Sequence, residues 1–454
     1  VERIYPSSEM SEADLKGEVT AAFKRLVPGF LKTVGVFAEK EPPPRMNPRM
    51  MRRRPPPPRD KVRLLKSKLS ENYQVRDVTL DKGRVPGDID ALLVVGGHKK
   101  LSEKARFAID QYLMRGGAVI ALVGAYAMKI QGRSGIGVAR VDSPLFSLLS
   151  SWGVDVKKKM VLDEQNDVFP IPVEREVMGY RVREIQLLKY PFWVDVRPDG
   201  MAEGAPAVAG IPSVTLQWVS PLAAVKREGV KTTALLRSSA KSWLSDDMNV
   251  QPDFKRFPKK GFGTPKDAKF EKNTLAILAR GTFPSAFAGK ASPLFNTKGM
   301  NVKTKGMNGQ GPKGKAPSDA EKKKREGSHT IERAPKGARL AVVGSADFVD
   351  DQVLSISRQS GGERFVNNLR LVQNLVDWAV ADLDLLSIRS RGTYARTLRP
   401  LKDGEGKTWE VTNYLIVVLA LGGLLLLTWM WRRRVTPIPL PSGRSRGVQK
   451  EGDR

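Results

Sequence analysis

The sequence predicts an α/β protein: a doubly wound, mostly parallel sheet with strand-rich insertions, followed by one C-terminal transmembrane helix. Three observations carry that expectation. Short runs such as "TVGVFA" (33–38), "IDALLVVGG" (89–97) and "GAVIALVG" (117–124) are apolar at successive positions, as strands covered on both faces must be. Stretches of helical periodicity separate them, and that alternation returns each strand to the sheet in the same direction. The third is "NYLIVVLALGGLLLLTWMWRRRV" (413–435), a long apolar run in an otherwise highly charged chain.

In chain order, "SEADLKGEVTAAFKRLVPGFL" (11–31) spaces Ala, Val, Phe and Leu as a helix does and stops at Pro28-Gly29. Strand 33–38 follows, then the Pro- and Arg-rich loop 41–61 and an amphipathic helix over 59–73. "YQVRDVTL" (73–80) alternates as a strand, and 89–97 is an apolar strand ended by two glycines. "LSEKARFAIDQYLMRGG" (101–117) opens with a Ser-x-x capping pattern and closes on Gly, so it is a helix. A strand over 117–124 and a helix over 142–154 continue the pattern.

The middle differs. "MVLDEQ", "RVREIQLL", "PFWVDVRP", "SVTLQWVSPLAAV" and "KTTALLRSSAKSWL" read as short strands separated by turns, an extension of the same sheet plus surface hairpins. "KNTLAILARGTFPSAFAG" (272–289) reads as a strand and then a short helix. After the Gly/Lys-rich segment 296–337, "ARLAVVGSADFVDD" (338–351) returns to the buried-strand pattern, and 364–388 is a long helix with Leu, Val and Trp on one face. The expected organisation is therefore a connecting helix (1–32), one α/β domain (33–395) with basic insertions at 41–61 and 296–337, a stem (396–412), a membrane helix (413–431) and a basic tail (432–454). Both insertions resist burial by composition and read as flexible.

The 21 residues Val411–Trp431 carry no charge; as a helix they span roughly 31 Å, close to the hydrocarbon thickness of a bilayer. Tyr414, Trp429 and Trp431 stand at the two ends, where amphipathic rings favour the interface, and Arg432, Arg433 and Arg434 follow directly. The basic C-terminal side belongs in the cytoplasm by the positive-inside rule, which places residues 1–412 outside it, the periplasm in a Gram-negative bacterium. The expected location is the bacterial inner membrane. A chain whose bulk is exported needs a signal or an earlier span, so a segment before Val1 is expected to be missing or removed.

The formal net charge is +29, which admits nucleic acid, an anionic membrane surface or an acidic polymer as partner. Nucleic acid is disfavoured, since no binding motif and no basic–aromatic interleaving stands out. Catalysis is disfavoured by inventory. With no Cys and only two His (His98 and His329), a cysteine nucleophile is impossible, and a Ser-His-Asp triad has only His98 and no G-x-S-x-G elbow. There is no full G-x-G-x-x-G, no phosphate loop and no Walker motif, so no cofactor, metal or catalytic set is assigned. A candidate ligand or partner cleft remains. Gly96, Gly97 and His98 follow a strand end, where doubly wound folds bind ligands, although a tight turn explains the same glycines. Asp347, Asp350 and Asp351 follow another strand end, where carboxylates hold a divalent cation or cap the next helix.

"DIDALLVVGGHKKLSEKARFAIDQYLMRGGAVIALV" (88–123), "LLSSWGVDV", "ARLAVVGSADFVDD" and "NLVDWAVADLDLLSIRSR", with one terminal membrane helix, together resemble the GldG-like family, auxiliary components of ABC-type transport systems linked to gliding motility. The resemblance covers most of residues 20–434. It implies a flavodoxin- or amidotransferase-like α/β domain without the catalytic cysteine. It also implies a non-catalytic, membrane-anchored subunit that binds a partner or substrate outside the membrane and docks on a permease, with the ATPase on another chain. The chain departs from the family at "AEKEPPPR", where a "GHGE"-like turn is usual, and in its basic insertions. Two other functions stay open: an envelope hydrolase using His98 and the Asp347–Asp351 cluster, and a polyanion-binding surface protein using the basic segments.

Overall fold

The computed structural model describes residues 31–40, 58–130, 136–177, 180–258, 260–290, 292–294, 330–360, 364–380 and 405–434. The expected helix at 11–31, the segment 389–401, the basic tail, and most of the two basic insertions lie outside these residues. The chain divides into two compact units, Val1–Ala395 and Arg396–Arg454.

The first unit runs β1 (Thr33–Ala38), α1 (Arg63–Ser70), β2 (Gln74–Asp77), β3 (Ala91–Val95), α2 (Glu103–Met114), β4 (Ala118–Leu122), β5 (Tyr126–Ile130), β6 (Ile136–Arg140) and α3 (Pro144–Ser151). It continues with β7 (Val154–Val156), β8 (Met160–Asp163), β9 (Asn166–Val177), β10 (Tyr180–Val196), β11 (Val214–Gln217), β12 (Leu222–Ala224), β13 (Val230–Arg237), β14 (Ser242–Ser245) and β15 (Thr274–Gly281). It closes with β16 (Arg339–Val343), α4 (Asp351–Gln359) and α5 (Arg364–Ala379). The second unit contributes α6 (Glu405–Arg434).

Seven strands form one mixed sheet in the order β13-β15-β16-β4-β3-β1-β2. From β16 to β2 every pairing is parallel, and β15 and β13 extend that core antiparallel. The central strands are buried at every position, which explains why they read as unbroken apolar runs. Alternate residues serve opposite faces. Val36, Leu93, Ile120, Leu122 and Val343 pack with Leu65 and Leu69 of α1 and Leu371 and Leu375 of α5. Leu92, Val94, Val119, Ala121 and Val342 pack with Ile109 and Leu113 of α2 and Leu148 and Leu149 of α3. Helices thus cover both faces.

Local chemistry sets the helix ends. Ser102 accepts the Ala105 N–H at the start of α2 (3.1 Å), and Ser143 accepts the Leu145 N–H at the start of α3 (3.1 Å), each satisfying a donor the helix leaves open. At the end of α5 the Arg339 guanidinium donates to the Trp378 carbonyl, a cation at the negative end of the helix dipole. The helix expected over 59–73 is confined to Arg63–Ser70.

The middle of the chain builds a second layer of β structure. β9 and β10 form an antiparallel hairpin, with β11 on its inner end. The two pieces expected around Pro191 are one strand. The proline sits where the β9–β10 register shifts, between Lys189 and Val194, a place where no ladder donor is needed. Tyr190, Phe192, Trp193, Trp218 and Trp243 close a third, aromatic core. β15 is followed by turns, not by the short helix expected before 289. Asp110 accounts for the difference: its buried carboxylate accepts the Ser285 hydroxyl (2.6 Å) and the Ala286 N–H (2.9 Å), holding that backbone on α2.

In the second unit, Glu410–Arg433 is the one helix among the described residues long and apolar enough to cross a membrane. Its large apolar side chains, from Val411 at 63 % to Trp431 at 76 %, are exposed.

Truncating Leu93→Ala, fully buried on β3, is expected to cost about 2–5 kcal/mol. Urea unfolding of the two proteins, followed by circular dichroism, measures it.

Candidate functional site

A parallel sheet develops a crevice where neighbouring strands send their chain to opposite sides. Here the chain goes outward from β1 to β2, and then returns to place β3 on β1's other side and β4 beyond it. The carboxyl ends of β1 and β3 therefore part company, and a cleft opens there. Ala38 and Glu39 at the end of β1, Val95, Gly96 and Gly97 at the end of β3, Gly124, Tyr126 and Ala127 after β4, and Ala346, Asp347 and Asp350 after β16 line it, with Lys61 and Val62 from the approach to α1. Its empty volume is about 460 Å³, open mouth included.

The two glycines after β3 are demanded by packing. Gly96 has φ +101°, and a Cβ there would lie 3.1 Å from the Glu39 Cβ; at Gly97 it would meet Val141 Cγ1 at 2.1 Å. Their absence of side chains lets the chain turn hard against β1 while the Gly96 N–H donates to the Leu122 carbonyl (3.0 Å).

The three aspartates after β16 have three separate tasks. Asp350 is the N-cap of α4, its carboxylate accepting the Gln352 N–H (2.8 Å). Asp351 caps a different helix: it accepts the N–H groups of Arg63 (3.1 Å) and Leu64 (3.0 Å) at the start of α1. Asp347 accepts the Met128 N–H with Oδ2 at 2.7 Å. Of the two roles open to this cluster, the structure shows helix capping for Asp350 and Asp351. Among the described residues no three His, Asp or Glu side chains are grouped so as to hold a metal ion.

Electrostatically the cleft is strained toward protonation. Burial, and then the charge of Asp350, push the Asp347 carboxyl up to about 7, against the Met128 N–H and the Lys61 ammonium. Asp350 is also raised by burial, with the Gln352 N–H and Lys61 opposing. Removing a carboxylate from water destabilises its charged form, and a second carboxylate nearby adds to that.

Gly96, Gly97, Asp347 and Asp350 are therefore brought to one cleft from two distant segments. His98 does not line it. Its ring stacks on Phe37, with centroids 4.2 Å apart and planes within 8°. Its φ is +44°, its Nε2 is buried without a hydrogen-bond partner, and burial lowers its pKa despite the Glu39 charge. Glu39, Lys61 and Tyr126 were not foreseen as cleft residues. Position alone could have marked Glu39, since it follows the first strand directly.

The fold is an α/β body with a crevice at the carboxyl ends of its parallel strands, in a chain that also carries an apolar helix. The chain belongs to the family described as ABC-type uncharacterized transport system, whose members are auxiliary transport components; the match spans residues 31–375. That agrees with the transport-auxiliary part of the resemblance. Over 193 residues, 42 % of this chain, it is 23 % identical to an uncharacterized protein of Borreliella burgdorferi, and it spans about a third (34 %) of that relative's length. A solved structure of the mmIFT52 N-terminal domain is similar at 13 % identity, over 77 % of this chain and 97 % of that one, with a TM-score of 0.37. No inference rests on so slight a likeness.

Asp347→Asn keeps an acceptor for the Met128 N–H and removes the charge. A folded-state pKa above the unfolded value makes Asp347 favour folding at low pH, and that contribution is lost as pH rises from about 4 to about 7. The variant is therefore expected to gain stability relative to the parent at pH 8 compared with pH 4. The gain should be on the order of a few kcal/mol, read as a difference in melting temperature in detergent.

Proposed function

We propose that this protein is a non-catalytic auxiliary subunit of an ABC-type transport complex, anchored by α6, with its α/β body outside the cytoplasm. The cleft at the ends of β1, β3, β4 and β16 recognises a partner or substrate, α6 docks against the permease, and the ATPase is a separate chain. The family membership carries the transport role. The observation that carries the anchoring is the exposure of the whole apolar surface of α6. A core helix of that length buries a stripe; one with no covered apolar side is stable in lipid. Arg432 and Arg433 after the span support a cytoplasmic C-terminus, and that orientation in a bacterium gives an inner-membrane protein with a periplasmic body.

The strand order β2-β1-β3-β4-β16 supports reading the body as flavodoxin- or amidotransferase-like, the domain that GldG-like proteins of gliding systems carry. The same geometry favours a non-catalytic role. His98 is stacked on Phe37 away from the cleft lining, and Asp350 and Asp351 are engaged as helix caps. An envelope hydrolase would need a base and a nucleophile within hydrogen-bond reach of each other. Asp347, raised to about 7, is the cleft group to test for acid–base work. If Asp347→Asn abolished a glycan- or peptide-cleaving activity of the purified protein, the enzyme reading would prevail.

Two outcomes are expected. The full-length chain stays in the membrane pellet after alkaline carbonate, whereas Leu419→Arg with Leu425→Arg, each costing about 2.5–3.5 kcal/mol at mid-bilayer, releases most of it. Gentle detergent purification recovers an ATP-binding subunit and a polytopic permease with it, and recovery of the chain alone contradicts the assembly.

A further inference from the structure

The loop between β14 and β15 carries a feature that neither the cleft nor the anchor uses. Between Gln251 and Lys272 the sequence holds seven Lys or Arg against three Asp or Glu, with four phenylalanines interleaved. The irregular spacing of these residues hides the pattern in the sequence, and folding displays it. Phe262 is turned inward against Tyr190 (centroids 5.3 Å) and Phe192 (5.8 Å), pinning the loop to the aromatic core. Asp253 organises the first part. Its carboxylate accepts the N–H groups of Lys255 and Arg256 (3.0 Å each), and its N–H donates to the Gly261 carbonyl (2.7 Å). Phe254 and Phe270 are left outside, 38 % and 50 % exposed, with Met248 at 48 %, and Lys255, Arg256, Lys260, Lys266, Lys269 and Lys272 are exposed around them.

We propose that this loop, 248–272, is a docking surface for anionic bilayer lipid. Basic side chains draw the loop to charged headgroups, and the exposed rings enter the interfacial region, where apolar burial and charge attraction add. Single exposed apolar residues are ordinary on protein surfaces; here Met248, Phe254 and Phe270 share one loop with six exposed Lys or Arg. The same chemistry could stack on single-stranded RNA. The apolar helix α6 decides for lipid, because a chain that carries a span is held at a bilayer. The loop leads into β15 at the carboxyl edge of the parallel strands, the edge that bears the cleft. Docking there sets the cleft's distance from the membrane. This inference rests on the anchoring reading, and its test separates the two.

The chain has no cysteine, so a single introduced thiol reports one place. Full-length Thr264→Cys carries an environment-sensitive fluorophore on the exposed part of the loop. Lys336→Cys, exposed just before β16 at the opposite edge of the sheet, is the control. Each is reconstituted into nanodiscs of phosphatidylcholine alone or mixed with phosphatidylglycerol, and co-elution with the discs first establishes insertion. The expected result is a blue shift at Thr264→Cys in the anionic discs only, reversed by salt, with none at Lys336→Cys. Replacing Lys255, Arg256 and Lys269 with Gln lowers the shifted fraction, about fivefold in partition per charge removed. Insertion with identical spectra in both discs overturns the proposal while leaving the anchor standing; an equal shift in both also overturns it. A shift produced by single-stranded RNA on the detergent-solubilised protein, and not by anionic discs, overturns it in favour of a nucleic-acid surface. Failure to insert at all overturns both the anchor and the docking.

Discussion

The body of this protein depends on covering both faces of its parallel strands at once. A strand with no polar face must be enclosed above and below, and its backbone donors and acceptors find partners only in the neighbouring strands. Leu93 and Ile120 answer to α1 and α5, Leu92 and Val119 to α2 and α3. Because connections must alternate between faces, the strand order reverses between β1 and β3, and the cleft follows from that reversal. The cleft is thus a consequence of how the core is enclosed.

The segment after β16 shows how closely fold and site are tied. Asp350 and Asp351 are adjacent in sequence yet fix two different helices, α4 and α1, and so tie the end of the body to its beginning. Asp347, one helical turn earlier, points its carboxylate at Met128 from the wall of the cleft. Burial, and then the carboxylate of Asp350 that the cap holds nearby, keep its proton affinity high.

The alternation of buried strands and capped helices was legible in the sequence. "TVGVFA" is β1 to the residue, and the strands at 91–95, 118–122 and 339–343 fall inside the apolar runs that announced them. What escaped was decided at a distance. Nothing local says that Pro191 can sit inside one long strand, because the tolerance comes from a register shift against β9. Nothing near Ser285 shows that Asp110, 175 residues earlier, will hold that backbone out of a helix. Gly96, Gly97, Asp347 and Asp350, which stand just after strand ends in the sequence, line the cleft. The His98 ring stacks on Phe37 instead, a direction set by a residue of β1 far earlier in the chain, and Glu39 and Lys61 join the cleft only because separate strand ends meet. The charged loop 251–272 was likewise passed over, since which phenylalanines face outward is set by the aromatic core beneath it.

We propose an auxiliary ABC transport chain held by one apolar helix, with its body beyond the cytoplasmic membrane. Thiol accessibility across that membrane tests it most directly. Glu203→Cys, exposed on the body, and Ser445→Cys in the tail are each exposed to a membrane-impermeant maleimide in intact spheroplasts. Labelling of the first without permeabilisation, and of the second only after it, is the expected result. Labelling in the reverse order, or of neither until the membrane is opened, contradicts it.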